Sequence, residues 1–193
     1  MEKICVFCGS SKGNGSVYLN AATELANELV KRNLGLIYGG ASVGTMGQIA
    51  NTVLEQGGKV TGIMPKVLVE KEVALTKLTD FHVVGSMHER KAMMADLSDA
   101  FIALPGGFGT LDEIFEILTW AQLEFHHKPC GILNINGYYD KLIEFLDNMV
   151  NQGFLMIENR QMIIIENNPV DLLNKFELYT PPKVDKAEWA LKN

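Results

Sequence analysis

The chain has 193 residues, 47% hydrophobic and 21% charged, which suits one soluble globular domain with a sizeable core. Its net charge of −6 argues against a nucleic-acid surface, because phosphate-backbone binding needs clustered Lys and Arg, and no basic run is present. No apolar run approaches the roughly 20 residues that a bilayer span requires, so no membrane partner is expected.

Short apolar runs alternate with amphipathic stretches, the pattern of βαβ units around a parallel sheet. Met1 to Cys8 runs directly into the first strand, Ile4 to Cys8, with no signal-peptide h-region, so a cytoplasmic location is expected. A loop at residues 9–15 follows, then a helix with Tyr18, Ala22, Leu25 and Leu29 on one face. Leu34 to Tyr38 is the second strand, and residues 39–44 lead into a helix through Ile49 and Val53 that stops at Gly57-Gly58. Val60 to Met64 is a third strand. Residues 66–76 have no clear period and are expected to form a loop or irregular helix.

Strands are then predicted at Leu78–Val84, Ala100–Leu104, Cys130–Ile135 and Met162–Ile165, with helices at Met87–Leu97, Leu111–Phe125, Tyr138–Gln152 and Val170–Phe176. The expected architecture is α/β: a doubly wound, Rossmann-like parallel sheet with helices on both faces. Residues 1–180 form a single domain and 181–193 a tail. Cys5, Cys8 and Cys130 fall within strands. They read as buried, inert thiols rather than a redox pair, which would straddle a strand-to-helix turn.

Such sheets bind ligands beyond the carboxyl ends of their strands, where strand order reverses. Loops 9–15, 39–47 and 105–110 all lie there, are rich in Gly or Ser, and precede helices. A helix N-terminus offers unpaired N–H groups and partial positive charge, so these loops suit a phosphate. The densest is Pro105-Gly106-Gly107-Phe108-Gly109-Thr110-Leu111-Asp112-Glu113. Its spacing supports two readings. Thr110 and Glu113 form a T-x-x-E capping box; alternatively Gly107, Gly109 and Thr110 surround a phosphate while Glu113 faces the attached sugar. Arg90-Lys91, after the Val84 strand end, is either a solvated helix face or an anion clamp.

This segment resembles the PGGxGTxxE signature of the Lonely Guy family, cytokinin riboside 5′-monophosphate phosphoribohydrolases whose members are often mislabelled lysine decarboxylases. Val6-Phe7-Cys8-Gly9-Ser10-Ser11, Tyr38-Gly39-Gly40, Met46-Gly47, Met87-His88-Glu89-Arg90-Lys91-Ala92 and Thr119-Trp120-Ala121-Gln122-Leu123 follow in the family's order, so the resemblance covers nearly the whole chain. It implies that Arg90 and Glu113 are the catalytic pair. It also implies that Glu72, Lys91, Gly107, Phe108, Gly109, Thr110, Leu111, Asp112 and Thr119 bind a nucleoside 5′-monophosphate. No cofactor or metal is implied, and a homodimer is.

Three positions depart from the pattern. Ala41 and Thr45 stand where the family commonly has Gly and Leu, and a methyl at 41 is expected to narrow the phosphate loop or cost it one φ > 0 conformation. Asp112 often is Glu.

Gly9-Ser10-Ser11-Lys12-Gly13 matches G-x-S-x-G, so a serine hydrolase using Ser11 is the enzymatic alternative; a nucleophile elbow, however, turns straight into a helix. A pyridoxal-phosphate decarboxylase needs a Schiff-base lysine and a larger fold, for which Lys128 is a poor candidate. A non-catalytic nucleotide carrier on the same fold is the remaining reading. No Cys, His and carboxylate set has metal-ligand spacing, and His126-His127 are expected to favour a helix C-terminal dipole.

Overall fold

A computed structural model describes residues 1–69 and 78–183. Seven strands, β1 Lys3–Phe7, β2 Gly35–Tyr38, β3 Val60–Pro65, β4 Asp80–Val84, β5 Ala100–Ala103, β6 Cys130–Leu133 and β7 Ile163–Glu166, form one sheet. Every pairing is parallel, and the order is β4-β3-β2-β1-β5-β6-β7. The order reverses between β1 and β5, so a crevice opens between the loops that follow those two strands.

Among the described residues, eight α-helices flank the sheet: α1 Val17–Lys31, α2 Gly44–Glu55, α3 Lys66–Val69, α4 Met87–Asp96, α5 Phe108–Gln122, α6 Asp140–Asn151, α7 Ile157–Gln161 and α8 Pro169–Glu177. Successive strand residues point to opposite faces, and both faces are covered. Ile4 and Val6 join Leu25, Ile49, Val53 and Leu172 under α1, α2 and α8. Cys5 and Phe7 join Met94, Ile114, Leu118 and Leu146 under α4, α5 and α6. Cys5 and Cys8 therefore belong to opposite core layers. All three cysteines are free and buried, and burial pushes the Cys8 and Cys130 thiols up to about 12. No helix among the described residues is long and apolar enough to cross a membrane.

The departures from sequence expectation cluster at helix ends. α5 begins at Phe108 rather than Leu111, with Gly107 as its N-cap and no side-chain cap. Thr110 is then the third helical residue, so the expected Thr110–Glu113 capping box does not form. The glycines of this turn cost little, because the first amides of a helix have no intrahelical partner in any case. A reciprocal cap related to the capping box occurs instead at α4: Ser86 Oγ accepts from the Glu89 N–H at 3.1 Å, while Glu89 Oε2 accepts from the N–H of Gly85, one residue before the N-cap, at 2.8 Å.

Helix α5 also stops at Gln122, and the adjacent histidines lie past its end. There His126 Nε2 lies 2.9 Å from the Ile117 carbonyl and Nδ1 accepts from Lys128 N–H. Five-residue α7 went unpredicted because it is too short to show a period.

The 39–47 loop packs differently from expectation. Ala41 is fully buried and takes no positive φ; that conformation falls at Gly40 and Gly44, so the methyl costs the loop nothing in backbone freedom. The first amides of α2 are already engaged. Thr45 and Met46 N–H donate to the Ser11 and Gly9 carbonyls at 3.4 and 3.2 Å, and Thr45 Oγ1 donates to Gly9 O at 3.0 Å. This loop braces the 9–15 loop, and its Thr45 and Met46 amides are engaged there.

Candidate active site

The crevice between β1 and β5 contains two adjoining hollows. One, of about 330 Å³, is lined by Ser10, Gly39, Met46, Leu68, Met87, Arg90, Asp112, Glu113 and the stretch Gly107 to Thr110. The other, of about 290 Å³, lies across Gly9, Ser10 and Gly107, towards Tyr18 and Tyr138.

The N-terminus of α5 forms the floor where the hollows meet. Its first intrahelical bond runs from Leu111 N–H to Gly107 O, so the amides of Phe108, Gly109 and Thr110 precede the ladder. A Cβ added to Gly107 or Gly109 would meet nothing within 4 Å. Gly107 has φ −92°, so glycine there is not needed for conformation. It leaves the backbone bare to an approaching anion. A Cβ on Gly106, by contrast, would run into Thr110, which is buried against it. Tyr138 and Tyr139 hydroxyls fix the preceding turn by donating to the Gly106 and Leu104 carbonyls at 2.8 and 2.7 Å.

One turn further along α5, Glu113 Oε1 accepts from Arg90 Nη1 at 2.5 Å, and both side chains are about a tenth exposed. Arg90 Nε donates to the Ile63 carbonyl at 3.0 Å. Burial pushes the Glu113 carboxyl above the ordinary glutamate value, and the Arg90 charge opposes that rise. The freed capping role matters here: Glu113 answers Arg90 and the cleft, not the helix N-terminus. A carboxylate held beside a cation at the mouth of a set of amides suits a reaction in which positive charge develops near a bound phosphate.

The structure brings together Arg90, Gly107, Phe108, Gly109, Thr110, Asp112 and Glu113. Phe108 is 94% exposed at the rim, and Leu111 packs partly into the core. Lys91 does not face this hollow. Its ammonium lies 2.8 Å from Asp112 and 3.3 Å from Glu116, and the Asp112 bond foremost raises its pKa. Thr119 is exposed on α5, with its hydroxyl donating to Phe115 O at 2.7 Å. Glu72 lies outside the described residues.

The apolar wall of Met46, Leu68 and Met87, suited to a planar base, was not assigned from sequence. Isolated methionines at helix starts carry no signal apart from the cleft they meet. Ser11 lies six residues before α1 and accepts from Gly13 N–H at 3.3 Å, and no histidine lines the hollow beside it, so the nucleophile-elbow geometry is not formed. Lys128 donates to Ala95 O at 2.8 Å and lines a different hollow beside Trp120.

Comparison with known proteins identifies the chain's relatives. A family model described as possible lysine decarboxylase matches residues 46–176. A probable cytokinin riboside 5′-monophosphate phosphoribohydrolase from Oryza sativa subsp. japonica, LOGL5, is 49% identical over 194 residues, covering 98% of this chain and 79% of its own. The Arabidopsis thaliana cytokinin riboside 5′-monophosphate phosphoribohydrolases LOG4 and LOG1 are 49% and 48% identical, covering 93% and 99% of this chain and 83% and 91% of theirs. Among solved structures, the molybdenum cofactor carrier protein of Chlamydomonas reinhardtii superposes with a TM-score of 0.69 at 19% identity, covering 92% of this chain and 97% of its own. The molybdenum cofactor binding protein of Rippkaea orientalis does so at 0.67 and 22%, covering 92% and 96%. Those likenesses establish the shared fold. With near half of its residues identical to such relatives along almost its full length, the chain belongs to the Lonely Guy family of cytokinin riboside 5′-monophosphate phosphoribohydrolases.

Proposed function

We propose that this protein hydrolyses the N-glycosidic bond of an adenosine 5′-monophosphate, N6-substituted or plain, to give the free base and ribose 5-phosphate. The observation that carries this reading is the Arg90–Glu113 pair standing one helical turn beyond the bare amides at Gly107 to Thr110.

As the base departs, positive charge builds on the ribose, giving an oxocarbenium-like transition state. The amides of Phe108, Gly109 and Thr110 bind the 5′-phosphate, and that binding energy places C1′ against the carboxylate. Glu113 stabilises the ribosyl cation and orients the attacking water, whose proton it accepts. Arg90 holds Glu113 ionised despite its burial and is placed to donate to the departing base. Met46, Leu68 and Met87 give that base an apolar wall. None of these steps uses a cofactor. A carrier protein would need the phosphate cradle but no carboxylate beside the sugar, so the pair favours the enzyme.

The test is release of free base and ribose 5-phosphate from AMP and N6-isopentenyl-AMP, with GMP and CMP as comparison, followed between about pH 4 and 8. Glu113 must be ionised to act. Activity is therefore expected to fall with decreasing pH through a limb above the ordinary carboxylate range, because burial raises that group. No base released from any of the four substrates would overturn the reading.

The family resemblance further suggests a cytosolic homodimer. The exposed Leu123 and Phe125 beside the Trp120 hollow supply an apolar surface on the α5 side for such a contact. Sedimentation at about twice the mass of one chain is the expected result; a monomer at assay concentration would overturn it.

A further inference from the structure

We infer that Gly39, at the end of β2, is a positioning residue for Arg90: its missing side chain is the third side of the seat that aims the guanidinium at Glu113. This rests on the reading of Arg90 and Glu113 as the reacting pair.

The guanidinium is confined at each of its nitrogens. Nε is tied to the Ile63 carbonyl at the end of β3, and Nη1 to Glu113 on α5. Nη2 faces Gly39. A Cβ built on Gly39 would stand 2.3 Å from Nη2 and 3.5 Å from Cζ, and 3.2 Å from Met46 Sδ. The φ of Gly39 is not positive, so an alanine there meets no backbone strain and the requirement is for space alone. The end of an arginine is ordinarily free to step aside. This one is 8% exposed and tied at two corners, so it yields only by giving up the Ile63 carbonyl, Glu113 or both. The same glycine thus gives Arg90 its place and, through Arg90, gives Glu113 its counter-charge. The ends of two strands, β2 and β3, and the first turns of two helices, α4 and α5, meet at that point, which is why a position in the Gly39-Gly40 turn acts on a pair contributed by α4 and α5.

The test is a melting-temperature cycle combined with kinetics. Gly39→Ala is expected to lower Tm by at least about 4 °C in the native background. In an Arg90→Ala background, where the obstructing group is gone, the same substitution is expected to shift Tm by less than about 1 °C. This arm holds even if Gly39→Ala alone folds poorly, because the double variant then folds as well as Arg90→Ala.

In the kinetic arm, kcat of Gly39→Ala falls at least about 30-fold, while inhibition by ribose 5-phosphate changes less than about threefold, since the α5 amides are untouched. The acid limb of kcat also moves to higher pH, as Glu113 loses its neighbouring cation. A general loosening of the fold would weaken ribose 5-phosphate binding and leave that limb in place. An equal Tm loss in both backgrounds would overturn the seat, as would near-normal kcat in Gly39→Ala when Arg90→Ala is inactive. Full activity in Arg90→Ala would instead overturn the catalytic assignment of Arg90, and the melting cycle would still decide the seat.

Discussion

Glu113→Gln is expected to lower kcat by about 10²-fold or more, the scale of deleting one electrostatic stabiliser of a transition state. The amide keeps the size of the carboxylate and one oxygen able to accept from Arg90 Nη1. It lacks the charge that answers the ribosyl cation and the basicity to take a proton from water. Spacing alone, which made Glu113 a candidate cap, predicts a melting temperature little changed by this substitution. The structure alters that expectation. Arg90 is 8% exposed, and Glu113 is the carboxylate that pairs with it. Removing the charge leaves a buried cation with a weaker partner, at a cost of roughly 1–3 kcal/mol, reduced because the desolvated carboxylate is lost as well. Single-turnover rates measured well below the lowered Tm separate the two effects. A rate within a few-fold of wild type would return Glu113 to a structural role.

How much of this was legible without coordinates depends on the range of the interaction. The seven strands were read from segments four to seven residues long, and the helix-covered parallel sheet from the alternation of short apolar runs with amphipathic stretches, because that pattern is local in sequence. The crevice followed from topology: glycine-rich turns after Cys8 and Leu104 had to meet once the chain was doubly wound. Local spacing misled at Thr110 and Glu113, where a genuine capping pattern was overridden by Thr110 packing under Gly106 and by Arg90 reaching across from α4. A T-x-x-E signature contains no information about a cation twenty-three residues upstream. The same limit hid the fate of the 39–47 loop, since nothing in Thr45-Met46 announces that their amides meet the Ser11 and Gly9 carbonyls. Lys91 and Asp112 were both expected to bind substrate; Asp112 lines the cleft, while the Lys91 ammonium is paired with Asp112 and Glu116. Residue type identified the charges, while pairing between helices decided which remained available.

AMP is expected to be hydrolysed with kcat/KM at least about 10³-fold above that for adenosine. The phosphate is where the cleft has most to offer: the amides of Phe108, Gly109 and Thr110 at the positive end of a fifteen-residue helix, with no side chain at 107 or 109 to hold an anion away. Each charge-assisted bond lost with the phosphate removes roughly 1.5–3 kcal/mol, so two such bonds already account for the ratio. The loss should not be confined to KM. Part of the binding energy holds C1′ against Glu113, one turn beyond the amides, so adenosine reaches the same hollow without being aligned, and kcat falls too. Running the comparison with EDTA present tests a second point. Among the described residues no group of three His, Cys, Asp or Glu is placed to hold a metal ion, so the AMP rate should be unchanged by the chelator. Comparable rates on the two substrates would remove the phosphate from the α5 N-terminus. Inactivation by EDTA would instead leave that cradle in place and assign the ribosyl cation's stabilisation to a bound metal rather than to Glu113 alone.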